Sequence, residues 1–324
     1  MLSSKFRPMR ALIALLLSLW LAPAWAQLPL TGAGKGKPGV TYQGPGDVVS
    51  KTNLKFFVGL RALDAADRGS NLINLCNAAD AACVDVASDA TTGNLVAPTN
   101  VGGTDCTAVN TCSIKTWYDR SGALYCSGST ACNFTQATIA NRATLTFNCI
   151  NSKPCAVFSG SQYYLSSATA ASLAATMTVS SVTRRTASFT TTHVIFSTQG
   201  AAQINVNYRQ VANAIQMFAG TAGVFISNIT DSNYHAVQAV FNGASSALVC
   251  GGSAGTNCSV GGTSNSLSPG ATASSGSTTM AMGFSGGTNF LTGEITELFL
   301  YNATLSAGDA TALNNNQYSY WGPF

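Results

Sequence analysis

Short segments in which apolar and polar residues alternate make up most of this 324-residue chain. Alternation with a period of two is typical of strands that bury one face, and the Gly, Asn, Ser and Asp residues between the segments are typical of turns. The segments are "NLINL", "SIKTWY", "ATLTFN", "CAVFSG", "TMTVSSV", "HVIFST", "INVNY", "AIQMFAG", "HAVQAVFNG", "SALVC", "TTMAMGF" and "GEITELFLY". Because strands do not alternate with helices, the pattern predicts an all-β fold, a two-sheet jelly-roll sandwich with one or two short helices.

Two segments depart from this period. Between Lys51 and Gly69, apolar residues such as Phe56 and Leu60 recur at helical spacing before a glycine, which predicts a short helix or helical turn. Near the C-terminus, Ser306 is followed three residues later by Asp309, a capping pattern that predicts a helix.

Ten cysteines all follow the first 26 residues and fall into close couples. The couples are Cys76/Cys83, Cys106/Cys112, Cys126/Cys132, Cys149/Cys155 and Cys250/Cys258. An even number of cysteines in an exported protein favours disulfides, and the short spacing favours local pairing, although spacing alone does not fix the connectivity. The spacings are too long for zinc couples and the chain has 2 histidines, so we expect no metal and no other cofactor.

The N-terminus has the pattern of a secretory signal peptide over residues 1–26. Three cations precede the apolar run Ala11–Leu21, and "AWA" places small residues before a cleavage site between Ala26 and Gln27. This predicts a secreted or periplasmic protein. Residues 27–45 are rich in Gly and Pro and predict a linker, which leaves a single β-sandwich domain over 46–324.

Charge is sparse after the signal peptide. Three of the 16 cations lie within it, so the remaining chain nearly balances its 12 acidic residues and shows no basic patch for nucleic acid. No later run is long enough to span a membrane. The neutral, hydroxyl-rich composition suits a neutral polysaccharide or cell-surface glycan as partner.

Four carboxylates are candidates for catalysis: Asp119, Asp231, Glu294 and Glu297. Glu294 and Glu297 are three residues apart on one predicted strand, so we expect them on opposite faces. A retaining glycosidase needs two carboxyl groups about 5–5.5 Å apart, and this pair would not flank one bond. Either glutamate remains able to pair with an aspartate from elsewhere.

The stretch "WYDRSG" supplies candidates for ligand binding. Asp119 either caps the Asp-Arg-Ser-Gly turn or lies at a rim where it bonds a sugar hydroxyl. Trp117 either lies in the core or stacks on a sugar ring, and Tyr164 belongs to an aromatic pair at a strand edge. The candidate ligand-binding residues are therefore Trp117, Asp119 and Tyr164.

The segment Cys106–Leu165 resembles the catalytic domain of fungal arabinofuranosidase B, a glycoside hydrolase of family 54, and its bacterial relatives. The resemblance rests on a close cysteine couple followed by "TWYDRSG", "FTQA", "ANRATLTF" and "FSGSQYYL", and on "GLRALDAADRG" upstream. It implies a concanavalin A-like, laminin-G-like sandwich and, for the family, α-L-arabinofuranosidase activity with retention. The segment "FLTGEITELFLYNATLS" resembles the closing strand of such sandwiches in general.

The residues that the resemblance implies for catalysis are missing. The family's nucleophilic glutamate precedes a strand like Val211–Gly220, which has no acidic residue here, and Thr288 stands after Gly287 where the family has its acid/base aspartate. The family's vicinal cysteine pair is also absent. From Arg120 to Leu291 the only acidic residue is Asp231, so no catalytic residue can be carried over.

Three functional hypotheses follow, and the sequence leaves open whether the protein is an enzyme. The first is a secreted β-sandwich that binds glycans with the hydrolase fold but without its catalytic pair. The second is a divergent arabinofuranosidase that uses two of the four candidate carboxylates. The third is a structural or adhesive surface protein whose loops are held by disulfides.

Overall fold

Antiparallel strands dominate a computed structural model that describes residues 42–322. Not described within that range are 97, 109–110, 127, 129, 170–172, 174–175, 188–189, 200–202, 211–212, 220–221, 227–228, 230–231 and 252–277. The predicted signal peptide and most of the predicted linker lie outside the described residues and stay predictions.

The elements follow one another along the chain with few helices. The strands are β1 (Leu54–Gly59), β2 (Asn71–Asn77), β3 (Cys83–Ala87), β4 (Asn100–Val101), β5 (Thr104–Asp105), β6 (Cys112–Trp117), β7 (Phe134–Thr135), β8 (Thr144–Ile150), β9 (Lys153–Ser159), β10 (Tyr164–Ser166), β11 (Met177–Arg185), β12 (His193–Gln199), β13 (Ile204–Arg209), β14 (Ala214–Ala219), β15 (Ala222–Ile226), β16 (His235–Phe241), β17 (Ala247–Gly251), β18 (Thr279–Met282), β19 (Phe284–Ser285), β20 (Asn289–Phe290) and β21 (Thr292–Tyr301). The α-helices are α1 (Pro45–Val48) and α2 (Ala307–Trp321), and a 3₁₀ turn spans Ile139–Asn141.

Two layers of strands face each other. In the first layer β21 pairs with β1 and β9 along one edge and with β11 along the other, and β16 and β17 continue beyond β11. The second layer runs β3–β2–β6–β7–β10–β18–β12–β13–β14–β15. Strand β8 pairs with both β9 and β6 and joins the layers. Alternate side chains of both layers form one buried core, which confirms the all-β sandwich.

Helix α2 covers the outer face of the first layer. Ser306 caps the helix by accepting a hydrogen bond from the Asp309 N–H at 3.1 Å, as the sequence predicts. Leu313 of the helix packs with Phe57 and Phe299 in a second, smaller core. The helix thereby buries a face of β21 that would otherwise be exposed.

The helix predicted between Lys51 and Gly69 is wrong, because strand β1 lies there. Phe56 and Val58 enter the main core, whereas Phe57 enters the small core below α2. A strand buried on both faces is apolar at successive positions, and over a short run this pattern does not distinguish a strand from a helix.

Local disulfides fasten neighbouring strands and loops. The bonds Cys76–Cys83, Cys106–Cys112, Cys126–Cys132 and Cys149–Cys155 are present, which confirms four of the predicted pairs. Cys149–Cys155 closes the β8–β9 hairpin, whose turn residues Asn151 and Ser152 have φ of 48° and 58°. Cys250 is also disulfide-bonded, but Cys258 lies outside the described residues.

Residues just before the predicted domain start at residue 46 contact the sandwich. The Tyr42 hydroxyl donates a hydrogen bond to the Ala62 carbonyl at 2.5 Å. The predicted domain bounds themselves stay a prediction. Within the described residues, no helix is both long and apolar enough to span a membrane.

Candidate functional site

Three aromatic side chains meet at the end of the sandwich where the chain passes from the second layer to the first. The ring centroids of Tyr163 and Phe284 are 5.0 Å apart, those of Phe284 and Phe290 are 5.0 Å apart, and those of Tyr163 and Phe290 are 6.0 Å apart. All three side chains are half-buried, so each retains solvent-exposed ring surface. We call these three residues the aromatic cluster.

The cluster is built on the short hairpin of β19 and β20. Phe284 pairs directly with Phe290, which places both rings on one face of the hairpin. The loop contains Gly286 and Gly287 with φ of 64° and 84°, a conformation that glycine adopts without steric cost. The hairpin contains no charged residue, and its polar residues Ser285, Thr288 and Asn289 are neutral.

Hydrogen bonds fix the backbone of the cluster. The Ser197 hydroxyl donates to the Phe284 carbonyl at 2.5 Å, and the Gln136 side-chain amide donates to the Tyr163 carbonyl at 3.0 Å. The Thr292 N–H, two residues beyond Phe290, donates to His193 Nδ1 at 3.1 Å. The rings are therefore held in place before any ligand arrives, which reduces the entropy lost on binding.

Both carboxylate oxygens of the predicted site residue Asp119 accept hydrogen bonds from backbone N–H groups of the protein. Oδ1 accepts hydrogen bonds from the N–H groups of Phe57 and Ser121 at 3.1 and 2.9 Å, and Oδ2 accepts one from the Cys132 N–H at 3.0 Å. Burial raises the pKa of the Asp119 carboxyl, although the N–H donors oppose the rise. This position fits the turn interpretation and joins three segments of chain.

Glu297 is completely buried and paired with Arg61. Arg61 Nε donates to Oε2 at 2.6 Å and Nη2 donates to Oε1 at 3.0 Å. Both side chains are 0% exposed, and the guanidinium lies 4.5 Å from the ring centroid of Tyr320 in helix α2. A substrate therefore cannot reach this carboxylate in the described structure.

Glu294 is held by a half-exposed arginine and a buried tyrosine. Arg184 Nε and Nη2 donate to its two oxygens at 2.7 and 2.6 Å, and the Tyr234 hydroxyl also donates to Oε2. Burial and the adjacent Glu294 charge raise the pKa of Tyr234, so the phenol stays protonated and remains a donor. The Glu294 side chain is 7% exposed, and most of its lone pairs are in use.

The expectation that Glu294 and Glu297 lie on opposite faces is wrong. Their partners in β11 are Arg184 and Val182, which are two residues apart and share a face. A bulge at Thr296 shifts the alternation of β21 by one residue and turns both glutamates to the outer side. They still do not form a catalytic pair, because each is bound to its own arginine and Glu297 is sealed below α2.

The remaining predicted site residues contribute no accessible side chain within the described structure. Asp231 lies outside the described residues, so its catalytic assignment stays a prediction. Trp117 and Tyr164 are both 0% exposed and pack edge to face in the core. Their burial gives no support to ligand binding, which also stays a prediction.

Two groups bring a carboxylate near cysteine sulfur within the described chain. They are Cys76, Asp80 and Cys83, and Cys149, Cys155 and Glu294. The sulfurs of each group are bonded in a disulfide, and both carboxylates are paired with arginines. Neither group offers the set of free ligands that a metal requires.

The sequence interpretation missed the phenylalanines of the aromatic cluster. Tyr163 was visible only as the neighbour of Tyr164, and "MGFSGGTNF" only as a segment without an aspartate. The available signal was the placement of Phe284 and Phe290 at equal distances from a glycine-rich turn. That symmetry predicts two rings side by side when the segment forms a hairpin.

Comparison with known proteins finds similar structures but no similar sequence. No protein-family model matches this sequence, and no curated protein matches it. An arabinofuranosidase complexed with arabinofuranosyl-α-1,2-xylobiose has a similar structure, with a TM-score of 0.61 and 16% identity over 86% of this chain and 65% of that one. A glycoside hydrolase family 54 α-L-arabinofuranosidase soaked with a cyclic sulfate inhibitor gives 0.59, again with 16% identity, over 86% and 66% of the two chains.

This chain spans just under two thirds of the length of those solved structures. At this identity the likeness concerns the fold alone. It agrees with the resemblance carried by the segment from Cys106 to Leu165: the chain has the sandwich fold of glycoside hydrolase family 54 arabinofuranosidases.

Proposed function

We propose that this protein binds a neutral glycan through the aromatic cluster of Tyr163, Phe284 and Phe290. The cluster itself is the observation that carries the proposal: three fixed, half-exposed rings within 6.0 Å of one another, on a hairpin without charge. The C–H faces of a sugar ring stack on such surfaces, and surrounding hydroxyl and amide groups bond the sugar hydroxyls.

Binding is favoured over hydrolysis by the state of the carboxylates. A retaining glycosidase needs one carboxylate free to attack and another free to deliver a proton. Asp119 accepts three backbone N–H groups, Glu297 is sealed with Arg61, and Glu294 is held by Arg184 and Tyr234. None of these three has a carboxylate open to a glycosidic bond.

The expected compartment fits this function. Four disulfides suit an oxidising environment, and the predicted signal peptide would deliver the chain there. Arabinose-containing plant polysaccharides are the first ligands to test, because the similar solved structures include an arabinofuranosidase with an arabinofuranosyl-xylobiose.

The test is binding of the purified mature chain to an array of neutral polysaccharides, including arabinan, arabinoxylan and xylan. Phe290→Ala and Tyr163→Ala are expected to weaken binding about 2- to 12-fold, since each removes stacking worth about 0.5–1.5 kcal/mol. Tyr118→Ala removes a half-buried tyrosine outside the cluster and is the matched control. The proposal is overturned if the protein binds no glycan on the array, or if both cluster variants bind as tightly as the wild type.

The fold likeness favours one alternative, a divergent arabinofuranosidase. Its test is release of 4-nitrophenol from 4-nitrophenyl α-L-arabinofuranoside. We expect no release above that of a heat-inactivated sample. Activity that disappears in Glu294→Gln or in Asp231→Asn would instead identify the protein as a hydrolase.

A further inference from the structure

An open groove of about 460 Å³ lies beside strand β3, at the end of the second layer. It is lined by residues of β3 and of the turn that follows, and by Val96, Pro98 and Asn100. Val84 and Val96 are 38% and 57% exposed, and they are two of the five large apolar side chains that the described chain exposes to this extent. No residue of the aromatic cluster lines the groove, so this surface is distinct from the proposed glycan site.

The backbone of β3 is open on the side of the groove. Successive residues of an antiparallel strand direct their N–H and C=O groups to opposite neighbours. The Ala87 carbonyl accepts a hydrogen bond from the Val96 N–H at 3.0 Å, so Ala87 faces away from β2. Asp85 and Cys83, two and four residues earlier, face the same way, and no strand of the described structure pairs with them there. A free edge of this kind accepts an extended chain as an additional strand.

The side chains of β3 determine which chain would fit this edge. Val84 and Val86 lie on one face of the strand and Asp85 lies on the other. Residues directly opposite each other on paired strands share a face and contact each other. An added strand would therefore place apolar side chains opposite the two valines and a cation opposite Asp85.

The carboxylate of Asp85 is open to such a cation. Its Oδ1 accepts hydrogen bonds from the Tyr118 hydroxyl at 2.7 Å and from the Asn74 side-chain amide at 2.8 Å. Its Oδ2 has one long contact, 3.4 Å to the Asn71 amide, and the side chain is exposed. Within the described chain no lysine or arginine forms an ion pair with Asp85.

A second carboxylate, that of Asp89, also lines the groove, and none of the described lining residues is a cation. The backbone N–H groups of Thr92 and Thr91, helped by Arg68, hold the pKa of the Asp89 carboxyl below its usual range, so it stays ionised. The Arg68 guanidinium is bonded to the carbonyls of Ala65 and Thr91 and does not line the groove. The groove is therefore acidic beside an apolar wall.

We propose that the groove beside β3 binds an extended peptide segment of a partner protein by strand addition, with a lysine or arginine opposite Asp85 and apolar residues on either side of it. Charge complementarity favours this basic segment over an acidic one. It also disfavours a second copy of this chain, because antiparallel pairing of two β3 strands would place both Asp85 carboxylates on one face.

The experiment is calorimetric titration of the protein with the peptide acetyl-Thr-Val-Lys-Val-Thr-amide and with the same peptide carrying glutamate in place of lysine. Wild-type protein is expected to bind the lysine peptide at least about 10-fold more tightly, and Asp85→Lys is expected to reverse the preference. Val84→Lys should weaken binding of the lysine peptide by about 10-fold or more. Val249→Lys, at a 41% exposed valine of strand β17 outside the groove, adds the same charge and is the matched control.

Pairing through the backbone is tested with methylated peptides. In an added strand alternate N–H groups point to β3 and the others point to solvent. Methylation of one alternate set of peptide nitrogens is therefore expected to abolish binding, and methylation of the other set is expected to leave it intact. Equal affinity of the two methylated peptides would overturn strand addition.

The remaining outcomes also decide the proposal. If neither peptide binds, or if both bind equally well, the proposal is overturned and Asp85 serves only to keep the edge from pairing. A dimer in sedimentation velocity that Val84→Lys dissociates, without binding of either peptide, would identify a second copy as the occupant and would also overturn it. If Val84→Lys lowers the urea midpoint, the reversal in Asp85→Lys still tests the site. Glycan binding is expected to be unchanged in every variant, so failure of this inference leaves the proposed function standing.

Discussion

Replacement of Glu297 by glutamine is expected to destabilise the fold severely while leaving glycan binding intact. The substitution keeps the shape of the side chain but removes the charge that balances Arg61. Both side chains are 0% exposed, and Arg61 Nη1 already lacks a hydrogen-bond partner within the described structure. A guanidinium cannot lose its proton at ordinary pH, so the positive charge would remain buried without a counter-charge.

The magnitude follows from this geometry. Removing one member of a buried ion pair costs about 3–5 kcal/mol, which is a large part of the 5–15 kcal/mol that typically stabilises a domain. Contact of the guanidinium with the Tyr320 ring offsets a small part of that cost. Glu294→Gln should lose about 1 kcal/mol, because Arg184 is 31% exposed and water can solvate it.

Urea unfolding of the oxidised protein, followed by tryptophan fluorescence, measures both values. The double variant Arg61→Met with Glu297→Leu is expected to recover at least half of the loss, because a buried pair replaced by apolar residues is often neutral. A loss for Glu297→Gln no larger than that for Glu294→Gln would refute the argument. Loss of glycan binding in a folded Glu297→Gln protein would indicate that this carboxylate reaches the ligand.

Three further predictions concern residues whose roles the structure defines. Ser306→Ala removes the cap of α2 and should lower the free energy of unfolding by about 1 kcal/mol in urea titrations, whereas Ser306→Asp should not. Asp119→Ala leaves three buried N–H groups unbonded and should cost at least 2 kcal/mol, measured in the same way, with glycan affinity unchanged in the folded fraction. Burial and the hydrogen bond to Asp85 raise the pKa of Tyr118 to about 12, so stability should fall as pH rises from about 10 through that value. NMR of ring-labelled tyrosine in the wild type and in Asp85→Asn should show a lower pKa in the variant, and an unchanged value would contradict the assignment.

Local chemistry in the sequence predicts much of the sandwich. Alternation places most strands, the spacing of cysteines predicts five local disulfides of which four are confirmed, and Ser306 with Asp309 predicts the start of α2. These signals act over a few residues, so no tertiary contact is needed to interpret them. Strand β1 is missed because its two faces enter different cores, and that fact depends on a helix more than 200 residues away.

The site is harder to predict because its chemistry depends on register. A single bulge at Thr296 reverses the expected relation of Glu294 and Glu297, and no residue in "GEITELFLY" marks its position. Carboxylates attract attention in a sequence as candidate catalysts, but their arginine partners lie 110 and 236 residues away in the chain. Aromatic rings such as Phe290 and carboxamides such as Asn207 do not stand out in a sequence as functional candidates, since such residues are common in any core or turn.

The preference for amides over acids on β13 has a physical reason that can be tested with Asn207→Asp. A neutral carboxamide without a partner costs about 1–3 kcal/mol when buried, whereas an ionised carboxylate in the same place costs more and shifts its pKa upward instead. Asn207 is 3% exposed, and its paired neighbours Val194 and Gln216 carry no charge. The cation Arg209, two residues along β13 on the same face, opposes only part of the desolvation cost.

The new carboxyl of this variant should therefore have a pKa well above its unfolded value of about 3.9. A raised acid pKa means that the folded state holds its proton longer than the unfolded state. The stability of the variant relative to wild type is then highest below about pH 4 and falls as pH rises through the folded pKa. We expect the deficit to grow by about 2–4 kcal/mol between pH 4 and pH 8 in urea titrations. A deficit that is the same at both pH values would mean that water or the Arg209 guanidinium reaches this position and compensates the carboxylate.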